Sequence, residues 1–287
     1  MDIERVGVVG CGLMGSGIAE VCARAGADVV VREATEELLR AGRSRVEESL
    51  GRAVRAGKVD EAGRDEALAR ISFHTEWEAM GDRHLVVEAV TEDAAAKVEV
   101  YRRLDRVVTA DDAVLASNTS SIPIMKLAMA TERPAQVLGI HFFNPVPVLR
   151  LVELITSLLT GEAAVARAEA FVTDRLGKRV IRSQDRAGFV VNALLIPYLL
   201  SAIRMFESGF ASRDDIDTGM MEGCAHPMGP LALADLIGLD TTMAVAESLY
   251  EEFKEPLFAA PPLLSRMVEA NLLGRKTGRG FYDYARR

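Results

Sequence analysis

The sequence predicts an α/β protein: a doubly wound sheet with an inserted helical hairpin, followed by an all-α C-terminal domain. Three observations carry this. Gly10, Gly12 and Gly15 form a glycine-rich turn between a β-branched run and an amphipathic stretch, all within the first thirty residues. Apolar runs of strand length then alternate with helical periods as far as residue 185. Residues 189–287 keep helical periodicity with hardly any strand signal. The boundary falls near Asp185–Ala187, which gives an α/β domain over 1–186 and a helical domain over 187–287.

The opening stretch "RVGVVGCGLMGSGIAEVCARAGADVVVRE" reads strand, tight turn, helix, strand. Val6, Val8 and Val9 make a buried β run. The helix carries Ile18, Val21, Cys22 and Ala25 on one face and stops at Gly26, and "DVVV" is the second strand. Leu39, Val46, Leu50 and Val54 then recur at helical spacing behind Thr35, an N-cap residue type with acidic residues after it. "KVDEAGRDEALARI" is a second helical stretch and completes the hairpin. "HLVVEAV" is a strand, "AAAKVEVYRRLDRVV" a helix, "AVLASNTSS" a strand ending in a polar turn, and "IPIMKLAMAT" a short helix. Two greasy runs follow in "VLGIHFFNPVPVLRLVELI", then the helix "GEAAVARAEAFVTDRLG" and a last strand, "KRVIRS". "FVVNALLIPYLLSAIRMFESG" is a long helix, apolar nearly all round, which suits burial between domains or subunits.

Composition excludes several classes. With 49% hydrophobic and 26% charged residues the chain has an ordinary globular profile, and its net charge of −8 argues against a nucleic-acid coat. Cys11, Cys22 and Cys224 have no CxxC spacing, and His74, His84 and His226 no metal-ligand spacing, so neither a disulfide framework nor a metal site is expected. No apolar run is long enough to span a membrane, and the N-terminus has no leader pattern. The expectation is a cytoplasmic protein without nucleic-acid or membrane partners.

The glycine-rich turn lies between a strand and a helix, with Glu33 at the end of the second strand. In that context close backbone approach to a pyrophosphate is the favoured reading over a plain turn. Glu33 would accept the adenosine ribose hydroxyls and favour NAD over NADP, although Arg32 beside it keeps a 2′-phosphate conceivable. His141 and Glu153 each interrupt an apolar run. An ionisable group buried without a partner is costly, so the two pair for packing or for chemistry. His141 ends a strand just before Asn144-Pro145, and in an open α/β sheet that end faces the ligand crevice. A carboxylate that orients an imidazole makes a general-base pair. Ser120 or Ser121 could cap the next helix or face the same crevice. Asn192 could bond between helices or reach a ligand. Arg45, Arg52 and Arg55 share a helical face with Lys58 beyond, either an ordinary solvated face or a patch for a phosphate-rich ligand.

Taken in order, "GCGLMGSGIA", "VVEAVTED", "ASNTSS", "HFFNPVPVLRLVE", "AGFVVN", "HPMGPLALADLIGLD" and "GRKTGRGFYDY" resemble the 3-hydroxyacyl-CoA dehydrogenase family, closest to its 3-hydroxybutyryl-CoA branch. The resemblance covers essentially the whole chain. It implies a Rossmann-type NAD-binding domain, a helical C-terminal domain that forms a homodimer, and reversible oxidation of (S)-3-hydroxyacyl-CoA thioesters to 3-oxoacyl-CoA. By this resemblance His141 is the catalytic base and Glu153 its partner, while Ser120 and Asn192 contact substrate. Gly10, Gly12, Leu13, Met14, Gly15, Glu33, Glu92, Lys97 and Asn118 hold the cofactor, and Arg52 and Lys58 meet CoA. Glu33 departs from the pattern, where aspartate is commoner. Two alternatives stand beside this: the same chemistry on a carrier-protein thioester or a hydroxy acid without CoA, and a non-enzymatic NAD-binding protein.

Overall fold

A computed structural model describes residues 2–284. The chain divides into two compact units, 1–186 and 187–287.

The first unit is built on eight strands: β1 (Arg5–Val9), β2 (Asp28–Arg32), β3 (Ile71–His74), β4 (Leu85–Glu88), β5 (Val114–Ser117), β6 (Val137–Phe142), β7 (Leu151–Thr156) and β8 (Arg179–Gln184). Their order in the sheet is β3-β2-β1-β4-β5-β6-β7-β8. All neighbours are parallel except β6 and β7. The inner strands are short and β-branched because helices cover both faces, and Val6, Val8, Val29, Val31, Val87 and Ile140 all fall in one core. Those helices are α1 (Leu13–Arg24), α2 (Glu36–Arg55), α3 (Glu61–Ala69), α4 (Ala94–Val107), α5 (Ile124–Ala128) and α6 (Glu162–Ala170). Thr35 caps α2 by accepting from the Leu38 N–H, as its residue type suggests. Asp60 and Asp93 cap α3 and α4 in the same way.

Two elements differ from the sequence expectation. The hairpin's second helix ends at Ala69, and "ISFH" behind it is the edge strand β3. Four residues with one fully buried side chain give too little alternation to be seen in sequence. The helix expected through Gly177 turns at Phe171 into a five-residue π-helical segment, Phe171–Arg175. There the Arg175 guanidinium donates to the carbonyls of Ile3, Ala25 and Gly26, tying this segment to the start of the sheet.

The second unit holds α7 (Val191–Glu207), α8 (Arg213–Cys224), α9 (Pro230–Ile237), α10 (Leu239–Phe253) and α11 (Pro262–Glu269). Their shared core includes Leu199, Ile203, Leu231, Leu249 and Leu264. The long apolar helix begins at Val191 rather than Phe189, whose positive φ of 48° marks the turn before it. The closing segment is clasped by buried Asp235, which accepts from the amides of Phe281 and Tyr282 and from the Tyr284 hydroxyl. A Cβ on Gly280 would stand 2.0 Å from that carboxylate, so only glycine passes there. No helix among the described residues is long and apolar enough to cross a membrane.

Candidate active site

The carboxyl ends of β1, β4, β5 and β6 carry most of the expected site residues. Gly10 leaves β1 with φ of 91° and donates its N–H to the Arg32 carbonyl at 2.9 Å. A Cβ on Gly10 would lie 2.7 Å from the Ala89 carbonyl oxygen, and one on Gly15 would lie 1.8 Å from that of Gly10. Glycine is therefore required at both places. Helix α1 starts behind Gly12 with neither a side-chain cap nor an acidic residue in its first turn, and Leu13 is exposed there. Uncapped amides at a helix start suit an anion, and this cradle fits a dinucleotide pyrophosphate.

Glu33 follows β2 directly. One carboxylate oxygen accepts from the Cys11 N–H at 2.6 Å and the other from the Ala34 N–H at 3.1 Å. The side chain thus stands beside the glycine-rich turn. Burial, and next the nearby Glu33 charge, push the Cys11 thiol up to about 12. Arg45, from the cationic face of α2, donates to the Cys11 carbonyl at 3.3 Å. Arg32 points elsewhere: its Nε donates to the Thr75 carbonyl at 3.0 Å, and its guanidinium lies 4.0 Å from the Trp77 ring centroid.

A buried polar network joins the turns after β4 and β5. Lys97 on α4 is almost wholly enclosed, with its Nζ 2.6 Å from Glu88 and 3.2 Å from Glu92. One Glu92 oxygen accepts from the Thr119 hydroxyl, the Ser120 and Ser121 amides and the Ser121 hydroxyl, at 2.5 to 3.1 Å. Burial opposes ionisation of Glu92, but Lys97 and these donors outweigh it and hold the carboxyl below its ordinary range. Ser120 is half-buried, and its hydroxyl makes no hydrogen bond among the described residues. The Asn118 side-chain oxygen accepts from the Phe142 N–H at 2.9 Å, which fixes this turn to β6.

His141 and Glu153 are direct partners in the antiparallel β6–β7 register. Opposed residues project to the same face of a sheet. His141 Nδ1 lies 2.7 Å from Glu153 Oε2, with both side chains buried. The Phe143 ring packs against the imidazole at 4.6 Å between centroids. Since Ser117 pairs with Gly139, His141 stands two residues beyond the end of β5, at the carboxyl edge of the sheet.

The remaining expected residues stand on other elements. Asn192 belongs to the second unit, on the first turn of α7. Arg52 is exposed on α2, two turns past Arg45. Lys58 lines a surface groove with Arg24, Gly26, Asp60 and Glu66. Gly26 lies two residues before Asp28, the first residue of β2, which pairs with Arg5, so this groove lies at the amino edge of the sheet, opposite His141. Arg52 lies in the last turn of α2 and the Lys58 N–H donates to the Ala53 carbonyl at 2.9 Å, so the two cations stand at the same end of that helix. The sequence reading missed Glu88 and Ser117. Glu88 could have been found by the reasoning applied to His141, because it is an ionisable residue inside the apolar run "LVVEAV" with a lysine nine residues on.

The fold and the glycine-rich turn define a dinucleotide-binding α/β protein. The 3-hydroxyacyl-CoA dehydrogenase NAD binding domain matches residues 5–186, and the C-terminal domain of the same family matches 188–284. The chain belongs to the 3-hydroxyacyl-CoA dehydrogenase family, and it is an NAD-dependent oxidoreductase. A 3-hydroxybutyryl-CoA dehydrogenase of Mycobacterium tuberculosis is 62% identical over 282 residues, covering 98% of this chain and 99% of the relative. The crystal structure of M. tuberculosis FadB2 superposes with a TM-score of 0.98 at 62% identity, covering 99% of this chain and all of the other. That of (S)-3-hydroxybutyryl-CoA dehydrogenase from Ralstonia eutropha has a TM-score of 0.94 at 45% identity, again over 99% and 100% of the two chains.

Proposed function

We propose that this enzyme interconverts (S)-3-hydroxybutyryl-CoA and acetoacetyl-CoA with NAD(H), using His141 as general base and acid. The observation that carries this is the buried His141–Glu153 pair at the carboxyl edge of the sheet. Glu153 accepts a hydrogen bond from Nδ1–H, so the basic lone pair of the neutral ring resides on Nε2. Nε2 removes the proton of the 3-hydroxyl, and Glu153 then faces an imidazolium at hydrogen-bond distance. Bound at the glycine-rich turn, NAD supplies the acceptor for the hydride that leaves C3. Ser120 and Asn192 orient the reacting oxygen or the thioester carbonyl. In reduction His141 returns the proton.

The preference for NAD rests on Glu33, which repels a 2′-phosphate, and on Arg32, which is engaged by Trp77 and Thr75. Gly10, Gly12, Leu13, Met14 and Gly15 form the pyrophosphate cradle. Glu92 lines the nicotinamide side, with Lys97 and Asn118 holding the turns around it. Arg52 and Lys58, at the same end of α2, serve the CoA phosphates. The short-chain assignment follows the names of the relatives above. A homodimer through the second unit is supported by large exposed apolar side chains there, Leu194 and Phe210 among them. The enzyme works in the cytoplasm.

The test is NADH oxidation followed at 340 nm with acetoacetyl-CoA, with longer 3-oxoacyl-CoAs, and with the pantetheine thioester of acetoacetate. NADPH is run in parallel, and free CoA is added as competitor. Turnover of acetoacetyl-CoA with NADH, inhibited competitively by CoA, is the expected result. Turnover indifferent to CoA would favour a carrier-protein thioester or a free hydroxy acid. NADH binding without turnover of any of these substrates would favour a non-enzymatic binding protein.

A further inference from the structure

We propose that Glu88 is a positioning residue of the dehydrogenase site, one that holds the cofactor-side turn after β4 and the substrate-side turn after β5 in a single register. The inference rests on the oxidoreductase reading of the site and adds a residue to it.

Glu88 ends β4 and is fully buried. A carboxylate there is costly unless its oxygens are satisfied. Both are. One accepts from the Val90 N–H at 2.7 Å and from Lys97 Nζ at 2.6 Å, and the other from the Ser117 hydroxyl at 2.6 Å. A buried ion pair is weak evidence of stabilisation, since well-packed apolar residues often do as well. What distinguishes Glu88 is where its contacts lead.

On the cofactor side, Val90 belongs to the turn against which Gly10 packs, and a Cβ on Gly10 would lie 2.9 Å from the Val90 nitrogen. Glu88 therefore fixes the wall behind the glycine-rich turn. On the substrate side, Ser117 Oγ accepts from the Thr119 N–H at 3.2 Å while it donates to Glu88. Lys97 extends the same network to Glu92, which holds the Ser120 and Ser121 amides. Asn118, in the same turn, secures the backbone beside His141. One carboxylate thus joins the pyrophosphate wall, the Ser120 turn and the strand that carries the base. The Lys97 ammonium, enclosed between Glu88 and Glu92, acts through Glu92, the half-exposed member of the network.

Glu88→Gln keeps the shape and removes the charge. Lys97 is left with Glu92 as its one ionised partner among these three residues, and the amide presents a donor where an acceptor stood. Both turns should shift by fractions of an ångström. A misplacement of about 1 Å costs roughly a hundredfold in rate, so a smaller loss, of about tenfold, is expected. The experiment measures kcat and KM for NADH and acetoacetyl-CoA on the full-length enzyme, with an NADH fluorescence titration and thermal unfolding by circular dichroism. Glu88→Gln is expected to be folded at the assay temperature, with both KM values raised and kcat lowered. Ser117→Ala, which frees one carboxylate oxygen without touching any charge, should move the same quantities in the same direction by less. A packing role alone would lower the unfolding midpoint and leave both KM values at wild type, and that result overturns the proposal. If Glu88→Gln does not fold, Ser117→Ala decides: raised KM values support the proposal and unchanged kinetics overturn it. Wild-type protein that neither binds nor oxidises NADH would instead overturn the oxidoreductase reading, and the proposal with it.

Discussion

Glu153→Gln separates the charge of the orienting residue from its shape. The carboxamide oxygen still accepts the Nδ1 proton across the 2.7 Å contact, so ring and tautomer stay in place. What is lost is the attraction between a carboxylate and the imidazolium that forms as the hydroxyl proton is taken. With charge centres about 4 Å apart and an effective dielectric constant of about 20, that attraction is on the order of 4 kcal/mol. In the transition state the proton is only partly transferred, so roughly half of it, about 2 kcal/mol, is at stake there, or more than tenfold in rate. The full value sets an upper limit near a thousandfold. Since Glu153 does not touch substrate in this reading, KM should change little and kcat should carry the loss. The assay is steady-state oxidation of (S)-3-hydroxybutyryl-CoA with NAD, accompanied by circular dichroism. Glu153→Gln retaining more than a third of wild-type kcat would refute the reasoning. His141→Gln is a less clean probe. It removes the imidazole donor from a fully buried carboxylate, and losing a hydrogen bond to a charged group costs about 1.5–3 kcal/mol of stability. Its kcat loss should come with a markedly lower melting temperature, and Glu153→Gln should melt higher than His141→Gln.

Glu33→Ser should erode the preference for NADH over NADPH chiefly by weakening NADH, because Arg32 is engaged by Trp77; comparison of kcat/KM for the two cofactors checks this, and a large gain with NADPH would contradict it. Arg52→Ala and Lys58→Ala should each raise KM for acetoacetyl-CoA with kcat intact and leave the pantetheine thioester unaffected; equal losses on both substrates would argue against a phosphate contact. Glu92 is held ionised below the ordinary carboxylate range, so its contribution to stability is fully present above the unfolded-state pKa of about 4.5 and is lost as pH falls through the folded value. Glu92→Gln should therefore flatten the acid limb of melting temperature against pH, and an acid limb parallel to wild type would exclude this coupling.

The β-branched runs and helical periods made the sheet and its covering helices legible, because hydrophobic periodicity is a local property of sequence. Strand β3 was not, since four residues at a sheet edge carry too little pattern. The pairing of His141 with Glu153 could be anticipated because both interrupt apolar runs only twelve residues apart, and the register now places them opposite one another. The Glu88 network could not be assembled in the same way. Its members come from β4, α4 and β5, and the parallel order that brings them together is set by crossover helices rather than by adjacent sequence. Arg45 and Lys58 illustrate the converse. Sequence set Lys58 just beyond the cationic face that carries Arg45, yet Arg45 touches the glycine-rich turn while Lys58 opens on a groove at the amino edge.

The single antiparallel step in the sheet explains why the base and its partner lie so close in sequence. A parallel neighbour of β6 would need a crossover of a dozen or more residues, and its contribution to this edge would come from a distant segment. Reversing direction through residues 143–150 lets β7 return along β6 at once, so His141 and Glu153 face each other across adjacent strands. The reversal also fixes which side chains share a face. A slip of one residue would send Glu153 to the other side of the sheet and put Leu154 or Val152 beside the imidazole. That register is secured from several directions. The Asn118 oxygen holds the Phe142 N–H, Lys178 donates to the Val146 and Leu149 carbonyls of the connecting loop, and a Cβ on Gly17 of α1 would lie 2.9 Å from the Val146 Cβ. The loop that turns the chain back therefore rests on the helix that begins at the glycine-rich turn. The element proposed to bind the cofactor and the strand pair proposed to move the proton are packed against one another, and neither can shift without the other.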